Sequence, residues 1–293
     1  MDVAALKKRA PWWLKIALKI VLSRVPVPYR SWARLGIFKL GSMTDPAYAL
    51  EIFRKHYERV SFPGKGSGFV CMELGPGDSL CTAPIARAHG AARSLLVDTG
   101  RYASDDLAPV RDLLDRLARE TSPGDVSAVG RASTWDEILR LCGSEYFTGG
   151  ISSLKRIPEG TVDFAFSNAV LEHVRLREFP ELLRELRRVM RKGGAASHTV
   201  DLTDHLSGGL NNLRFEEATW EGRLFADSGF YTNRIRFSEM LEMMTSSGFR
   251  ADHVEPKEWP AIPLPRGKMN AKFAALADRD LTTYGFEVVL RAI

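Results

Sequence analysis

The feature that most restricts this chain is the run Phe69–Leu74 (FVCMEL) followed at once by Gly75-Pro76-Gly77-Asp78-Ser79. A short apolar run bounded by glycine and proline reads as a buried strand ending in a turn. The glycines let the backbone turn tightly and approach a ligand closely. Ser79–His89 then reads as a helix, Ser94–Asp98 (SLLVD) as a second strand and Asp105–Glu120 as a second helix. This alternation predicts an α/β fold with an open, mostly parallel sheet and helices on both faces. Ligands bind such sheets beyond the carboxyl ends of the strands, which is where Glu73, Gly75, Gly77 and Asp98 fall. Asp98 follows Gly75 by 23 residues, the spacing at which an acid takes ribose hydroxyls. Position 79 is Ser and position 80 is Leu, so the final glycine of a dinucleotide fingerprint is missing. Glu73 would repel a pyrophosphate but suits a cationic, phosphate-free nucleoside. A nicotinamide-dependent oxidoreductase therefore fits poorly.

At 293 residues with 45% hydrophobic and 26% charged residues, the chain has the composition of a soluble globular protein and is not disordered. Its three cysteines, Cys71, Cys81 and Cys142, cannot build a disulfide framework or a CxxC metal site, and they favour a reducing, cytoplasmic setting. The net charge of +5 is unevenly placed. Residues 1–44 hold nine basic residues against the single acid Asp2, a charge of +8, and the remainder carries −3. A mildly acidic body argues against nucleic acid as a partner.

The basic arm contains an apolar run from Trp12 to Leu22 interrupted by Lys15 and Lys19, which share one helical face. It is too short to span a bilayer and lacks a signal-peptide pattern, and Pro26 and Pro28 end it. Two readings stand: a helix lying on an anionic membrane surface through residues 7–39, peripheral on the inner face, or a helix packed on the body. A second helix is expected from Asp45-Pro46 to about Val60, with Asp as cap and Pro in the first turn. The glycine-rich segment Phe62–Gly68 then divides a helical extension, residues 1–62, from a main domain, residues 63–293.

Four blocks resemble class I S-adenosylmethionine-dependent methyltransferases in order and spacing: ELGPGDS (Glu73–Ser79), Val97-Asp98, SNAVLEHV (Ser167–Val174) and ELRRVMRKGG ending at Gly194. The similarity covers roughly residues 69–293. It implies a Rossmann-like, doubly wound, mostly parallel seven-stranded sheet with an antiparallel last strand, and S-adenosylmethionine as cofactor. Carried over by position, Gly75 and Gly77 would pass the cofactor's amino-acid portion, Glu73 would hold the polar network there, and Asp98 would take the ribose. Asn168, just past the expected strand Val162–Phe166, would face the cofactor. Residues 121–150 show no signature for the adenine contact.

Ser167-Asn168-Ala169-Val170 departs from the Asn/Asp-Pro-Pro-aromatic block of enzymes that methylate nucleobase or glutamine nitrogens, and no cysteine lies nearby for pyrimidine carbon methylation. Oxygen or nitrogen of a small molecule, sugars and lipids included, remains. Glu172-His173 reads as the start of the next helix, with His173 either a general base or a structural pair member. Ser197–His205 brings His198, Asp201, Asp204 and His205 to the end of the fifth strand. Three readings stay open there: His205 as base supported by Asp201, a divalent-cation site, or a turn capped by Asp204. No metal is assigned. Between Leu210 and Arg236, Asn211, Asn212, Arg214, Phe215, Trp220, Tyr231, Asn233, Arg234 and Arg236 suit either a sugar or anion, or an ordered surface insertion. The expected function is O-methylation of a small or lipid-linked, saccharide-like acceptor. The alternatives are methylation of another small molecule or lipid, and a catalytically silent docking module that uses the arm.

Overall fold

The computed structural model describes residues 11–22, 24, 45–119 and 124–293. Seven strands form one sheet in the order β3-β2-β1-β4-β5-β7-β6. They are β1 (Phe69–Leu74), β2 (Ala91–Val97), β3 (Ser144–Phe147), β4 (Val162–Asn168), β5 (Met190–Asp201), β6 (Phe249–Glu258) and β7 (Thr283–Ala292). Strands β1 to β5 pair in parallel, while β7 runs antiparallel to both β5 and β6. This is the Rossmann-like, doubly wound, seven-stranded sheet expected.

The helices are α1 (Trp12–Leu22), α2 (Pro46–Glu58), α3 (Thr82–Ala88), α4 (Ala108–Arg119), α5 (Trp135–Cys142), α6 (Phe179–Val189) and α7 (Phe237–Ser246). Because central parallel strands are covered on both sides, their residues divide by parity between two cores. Cys71, Leu96, Phe164 and Phe166 pack with α2, α3, α4 and α5. Met72, Leu74, Leu95 and Ala165 pack with α6 and α7 on the other face. Helix α6 shows why such a segment is helical: Phe179, Leu182, Leu183, Leu186 and Val189 form one buried stripe at helical spacing.

Asp45 caps α2 by accepting from the amide of Ala47 at 3.0 Å, with Pro46 in the first turn, as expected. That helix is tied to the sheet by His56 Nδ1 and Ser197 Oγ at 2.8 Å, and by the ion pairs of Lys55 and Arg59 with Glu287. Two boundaries next to the site differ from expectation. Helix α3 starts at Thr82 rather than Ser79, because Ser79 Oγ instead accepts from the amide of Cys81 in a turn. Leu171–His173 is one 3₁₀ turn, and the helix proper starts only at Phe179, one residue before Pro180. The expected helix end at Glu120, Pro26 and Pro28, and Lys7, Lys8, Arg9, Arg30, Arg34 and Lys39 lie outside the described residues.

Candidate active site

The carboxyl end of β1 carries a cradle made from backbone. Gly75 and Gly77 both have left-handed φ, +72° and +65°, which a side chain adopts only under strain. The amide of Gly75 donates to the carbonyl of Val97 at 2.8 Å, and the amide of Gly77 donates to Asp98 Oδ2 at 3.0 Å. Asp98 Oδ1 accepts from the amide of Thr99 at 2.7 Å. Asp98 thus locks the glycine turn and holds its carboxylate at the end of β2, where remaining lone pairs can take ribose hydroxyls. Burial raises its proton affinity, and the amides of Gly77 and Thr99 partly offset this.

Glu73 is 4% exposed, and its Oε2 has no hydrogen-bond partner. Burial pushes its pKa up to about 8, with the Thr82 hydroxyl opposing and the Asp98 charge adding to the rise. A buried acid with one oxygen unpartnered, next to a glycine turn, is a place where a cationic ligand relieves an electrostatic cost. Sequence reasoning missed what sits over Gly75. A Cβ built there would meet Val170 Cγ2 at 2.5 Å, so the loop after β4 packs directly on the turn. Ala169 makes that approach with a left-handed φ of +55°. Asn168 is half-buried at the end of β4, beside this loop.

The third strand, which left no signature in the sequence, brings a further lining. Asp98 donates its amide to the carbonyl of Phe147 and accepts from the amide of Gly150, each at 2.8 Å. The Phe147–Gly149 loop therefore flanks Asp98, and a cleft of about 480 Å³ opens along Glu145–Gly149.

The second half of the site is made of side chains. His173 and His205, weighed in the sequence as alternatives, come together: their rings stand 4.7 Å apart, edge to face at 86°. Asp201 Oδ2 lies 3.7 Å from His205 Nε2, close enough to act through charge but not as a hydrogen bond. His205 Nε2 is buried and without a partner. Burial, then the neighbouring His173, lowers the pKa of His205 to about 4. His173 keeps an exposed edge, yet desolvation of its ring by the neighbouring side chains lowers its pKa, with the Nδ1–H···O=C bond to Tyr231, 2.9 Å, opposing the shift. Both imidazoles are neutral at physiological pH.

Glu172 is 1% exposed, and neither carboxylate oxygen has a hydrogen-bond partner among the described residues. Burial, with Asp201 nearby, holds its carboxyl well above the usual carboxylate range.

Two other members of the sequence cluster are structural. His198 is fully buried and shares its Nδ1 with Ser167 Oγ at 2.8 Å across β4 and β5. Asp204 caps a turn, accepting from the amides of Ser207 at 2.7 Å and Asn211 at 2.5 Å. Burial alone would raise its pKa, but those bonds outweigh it and hold the carboxyl below the usual range.

Most polar residues of the 210–236 segment are also spent on framework. Arg236 donates to the carbonyls of Asp280, Leu202 and Thr283. Arg234 donates to Phe215 O at 2.7 Å between the rings of Trp220 and Phe273. Asn233 braces the turn of Glu172 and His173 through Leu171 O at 2.8 Å and Glu172 O at 2.7 Å. This segment is the ordered insertion, and it positions His173.

Helix α1 packs against the same insertion through Ile16, Ile20 and Trp12, meeting Trp220, Phe225 and Phe215. Lys19 Nζ donates to the carbonyl of His205 at 2.8 Å, a contact the sequence did not suggest. The packed arrangement is therefore the observed one for residues 12–22. Its outer face still exposes Trp13, Leu14, Leu18 and Val21. None of the described helices is long and apolar enough to cross a membrane.

Residues 72–197 match the family model described as a methyltransferase domain. No curated protein matches the chain. Among solved structures, a chain from the Haloferax volcanii complex of the Trm112 methyltransferase activator with a methyltransferase is 15% identical, covering 92% of this chain and 99% of that one at a TM-score of 0.48. A S-adenosylmethionine-dependent methyltransferase of Methanosarcina mazei is 16% identical, with 83% and 97% covered and a TM-score of 0.47. Geranyl diphosphate C-methyltransferase of Streptomyces coelicolor, solved with Mg²⁺, geranyl diphosphate and S-adenosylhomocysteine, is 14% identical, with 84% and 79% covered and a TM-score of 0.44. The glycine cradle, Glu73 with its unpartnered Oε2, and Asp98 all fall within the matched segment and suit a cationic nucleoside. The match to a methyltransferase domain spans 126 of the 293 residues, and the cofactor is S-adenosylmethionine.

Proposed function

We propose that the protein methylates a hydroxyl oxygen of a small or lipid-linked, saccharide-like acceptor. The observation that carries this reading is the pair of neutral imidazoles, His173 and His205, with Asp201 at the carboxyl ends of β4 and β5. An alcohol is a poor nucleophile until its proton has somewhere to go, and a neutral imidazole beside a carboxylate provides that place. Bound S-adenosylmethionine supplies a methyl group on a sulfonium. The chain's tasks are then to hold the two reactants in line and to take the proton. Gly75, Gly77, Glu73, Asp98 and Asn168 do the holding on the cofactor side. His205 takes the proton, Asp201 supports the resulting charge, and His173 fixes the ring edge-on.

A lipid-linked acceptor is favoured by the outer face of α1, where Trp13, Leu14, Leu18 and Val21 are 57, 45, 56 and 62% exposed. An apolar helical face beside a +8 segment suits an anionic membrane surface. The methyltransferase unit is residues 63–293, with residues 1–62 as its extension, working in the cytoplasm at the inner face of a membrane.

The test is incubation of the full chain with isotopically labelled S-adenosylmethionine and candidate acceptors, with mass-spectrometric location of the label. Label on a hydroxyl oxygen is expected, and label on nitrogen or carbon would overturn the acceptor assignment. Co-sedimentation with anionic vesicles tests the membrane part: equal recovery on neutral and anionic vesicles, unchanged by Leu18→Ser, would remove it.

A further inference from the structure

We propose that Glu172, His173 and His205 form a binding site for one divalent transition-metal cation of the zinc class. One ligand atom from each of the three residues lies within 4.8 Å of the other two. A tetrahedral ion with bonds of about 2.0–2.1 Å sets its ligands about 3.4 Å apart, so modest side-chain rotation closes the site.

Three independent details point to a ligand rather than to packing. Glu172 is 1% exposed, and although the amides of Glu172 and Asp201 lie near, neither carboxylate oxygen receives a well-formed hydrogen bond, an arrangement that is costly unless a proton or a cation compensates it. His205 Nε2 is also buried and unpartnered. His173 gives its Nδ1–H to the carbonyl of Tyr231 at 2.9 Å, which fixes the tautomer and leaves Nε2 with its lone pair free. That is the outer-shell bond by which a protein orients a metal-binding imidazole.

Two imidazoles and one carboxylate select a borderline cation such as Zn²⁺ over Mg²⁺ or Ca²⁺, which prefer oxygen alone. Asp201, 3.7 Å from His205 Nε2, remains as a neighbouring acid. The charges of Glu172 and Asp201 balance a divalent ion in a region that also holds the ammonium of Lys19, bonded to the carbonyl of His205. His173 is exposed, so the side of the site next to it is open to a further ligand from solvent.

This inference rests on the O-methylation reading and changes one role in it: with the cation bound, His205 is a ligand and Asp201 takes the proton. The cation polarises the acceptor hydroxyl, whose O–H bond breaks as its proton passes to the carboxylate of Asp201 and then to water. The oxygen's electron pair forms the O–CH₃ bond while the S–CH₃ pair returns to sulfur, leaving a neutral thioether.

The experiment uses the full chain, stripped with chelator and titrated with Zn²⁺ by calorimetry and with Co²⁺ by its visible ligand-field absorption. One equivalent is expected to bind with a tetrahedral or five-coordinate Co²⁺ spectrum, and Mg²⁺ should not compete. His173→Ala and Glu172→Gln, each checked for a native melting transition, should weaken binding at least tenfold. Absence of saturable binding, or binding indifferent to both substitutions, overturns the site. Affinity for S-adenosylmethionine is read on the same samples. If the stripped enzyme binds cofactor and methylates acceptor at full rate, the cation's part in the reaction falls and the function stands. If S-adenosylmethionine does not bind at all, the function falls, and the Co²⁺ spectrum still reports on the cation site.

Discussion

The two halves of the candidate site are built by different means. The half assigned to the cofactor obtains its left-handed backbone from Gly75 and Gly77, and its hydrogen bonds run from main-chain amides to Asp98. The acceptor half takes left-handed φ at Ala169 and Arg234, the two described non-glycine residues that do so. It is held by long-range side-chain bonds, such as Asn233 to Leu171 and His173 to Tyr231. The first half depends on conformational preferences confined to a few consecutive residues. The second depends on a surface segment some 60 positions away folding correctly around it.

If that contrast is right, damage to the cofactor half should abolish binding, while damage to the acceptor half should abolish turnover. The largest effect is expected from Gly75→Val. The new side chain would occupy the space of Val170 at 2.5 Å, on a backbone with φ +72°. Calorimetry should show loss of S-adenosylmethionine affinity by more than about 100-fold, roughly 3 kcal/mol. Adding Val170→Ala should restore little, because the strain of the left-handed backbone remains. Full rescue by that second change would mean that the turn tolerates a side chain and that Val170 alone was in conflict.

His205→Ala tests the other half. Turnover should fall about 100-fold with cofactor affinity nearly unchanged, and Asp201→Asn should do the same less severely. A comparable loss of cofactor affinity in His205→Ala would break the division, since the histidine would then belong to both halves.

Glu73 sharpens the comparison through pH. Its carboxyl titrates near 8 in the free protein because burial disfavours the charge. A bound cation favours the carboxylate, so binding below that pH must release a proton. Affinity for S-adenosylmethionine should therefore rise with pH, by up to about tenfold per unit, and level off above about 8. Titration of the cofactor's own amino group contributes equally in Glu73→Gln, so the difference between the two profiles isolates Glu73. Coincident profiles would remove the carboxylate from cofactor binding.

The same contrast explains what the sequence made legible. The strand Phe69–Leu74, the cap Asp45, the glycine turn and Asp98 were all readable because period, propensity and fixed spacing act locally. His173 and His205 were both visible as candidates, but their meeting was not, since it is set by β4 and β5 lying side by side. Nor could the sequence show that Asn233, Arg234 and Arg236 serve the framework. The same side chains would suit a sugar, and only their carbonyl partners decide otherwise. Residues 121–150 stayed silent because β3 has only four residues, too few to show a period.

The smallest expected effect concerns Ala169, the exposed residue that joins β4 to the turn of Glu172 and His173. Its φ of +55° costs an alanine roughly 1–2 kcal/mol relative to glycine, while a glycine gives back about 0.4–1 kcal/mol through a freer unfolded chain. Ala169→Gly should therefore raise stability by roughly 0.5–1 kcal/mol in urea unfolding. Its amide donates to the carbonyl of Thr199 at 2.9 Å, so the loop's anchor to β5 survives the change. What is lost is restriction: a glycine allows the loop carrying Val170, Glu172 and His173 more than one path. A modest fall in turnover with unchanged cofactor affinity is expected alongside the gain in stability. Lower stability in Ala169→Gly would show that this backbone is not strained, and that the acceptor half holds its shape without stored conformational cost.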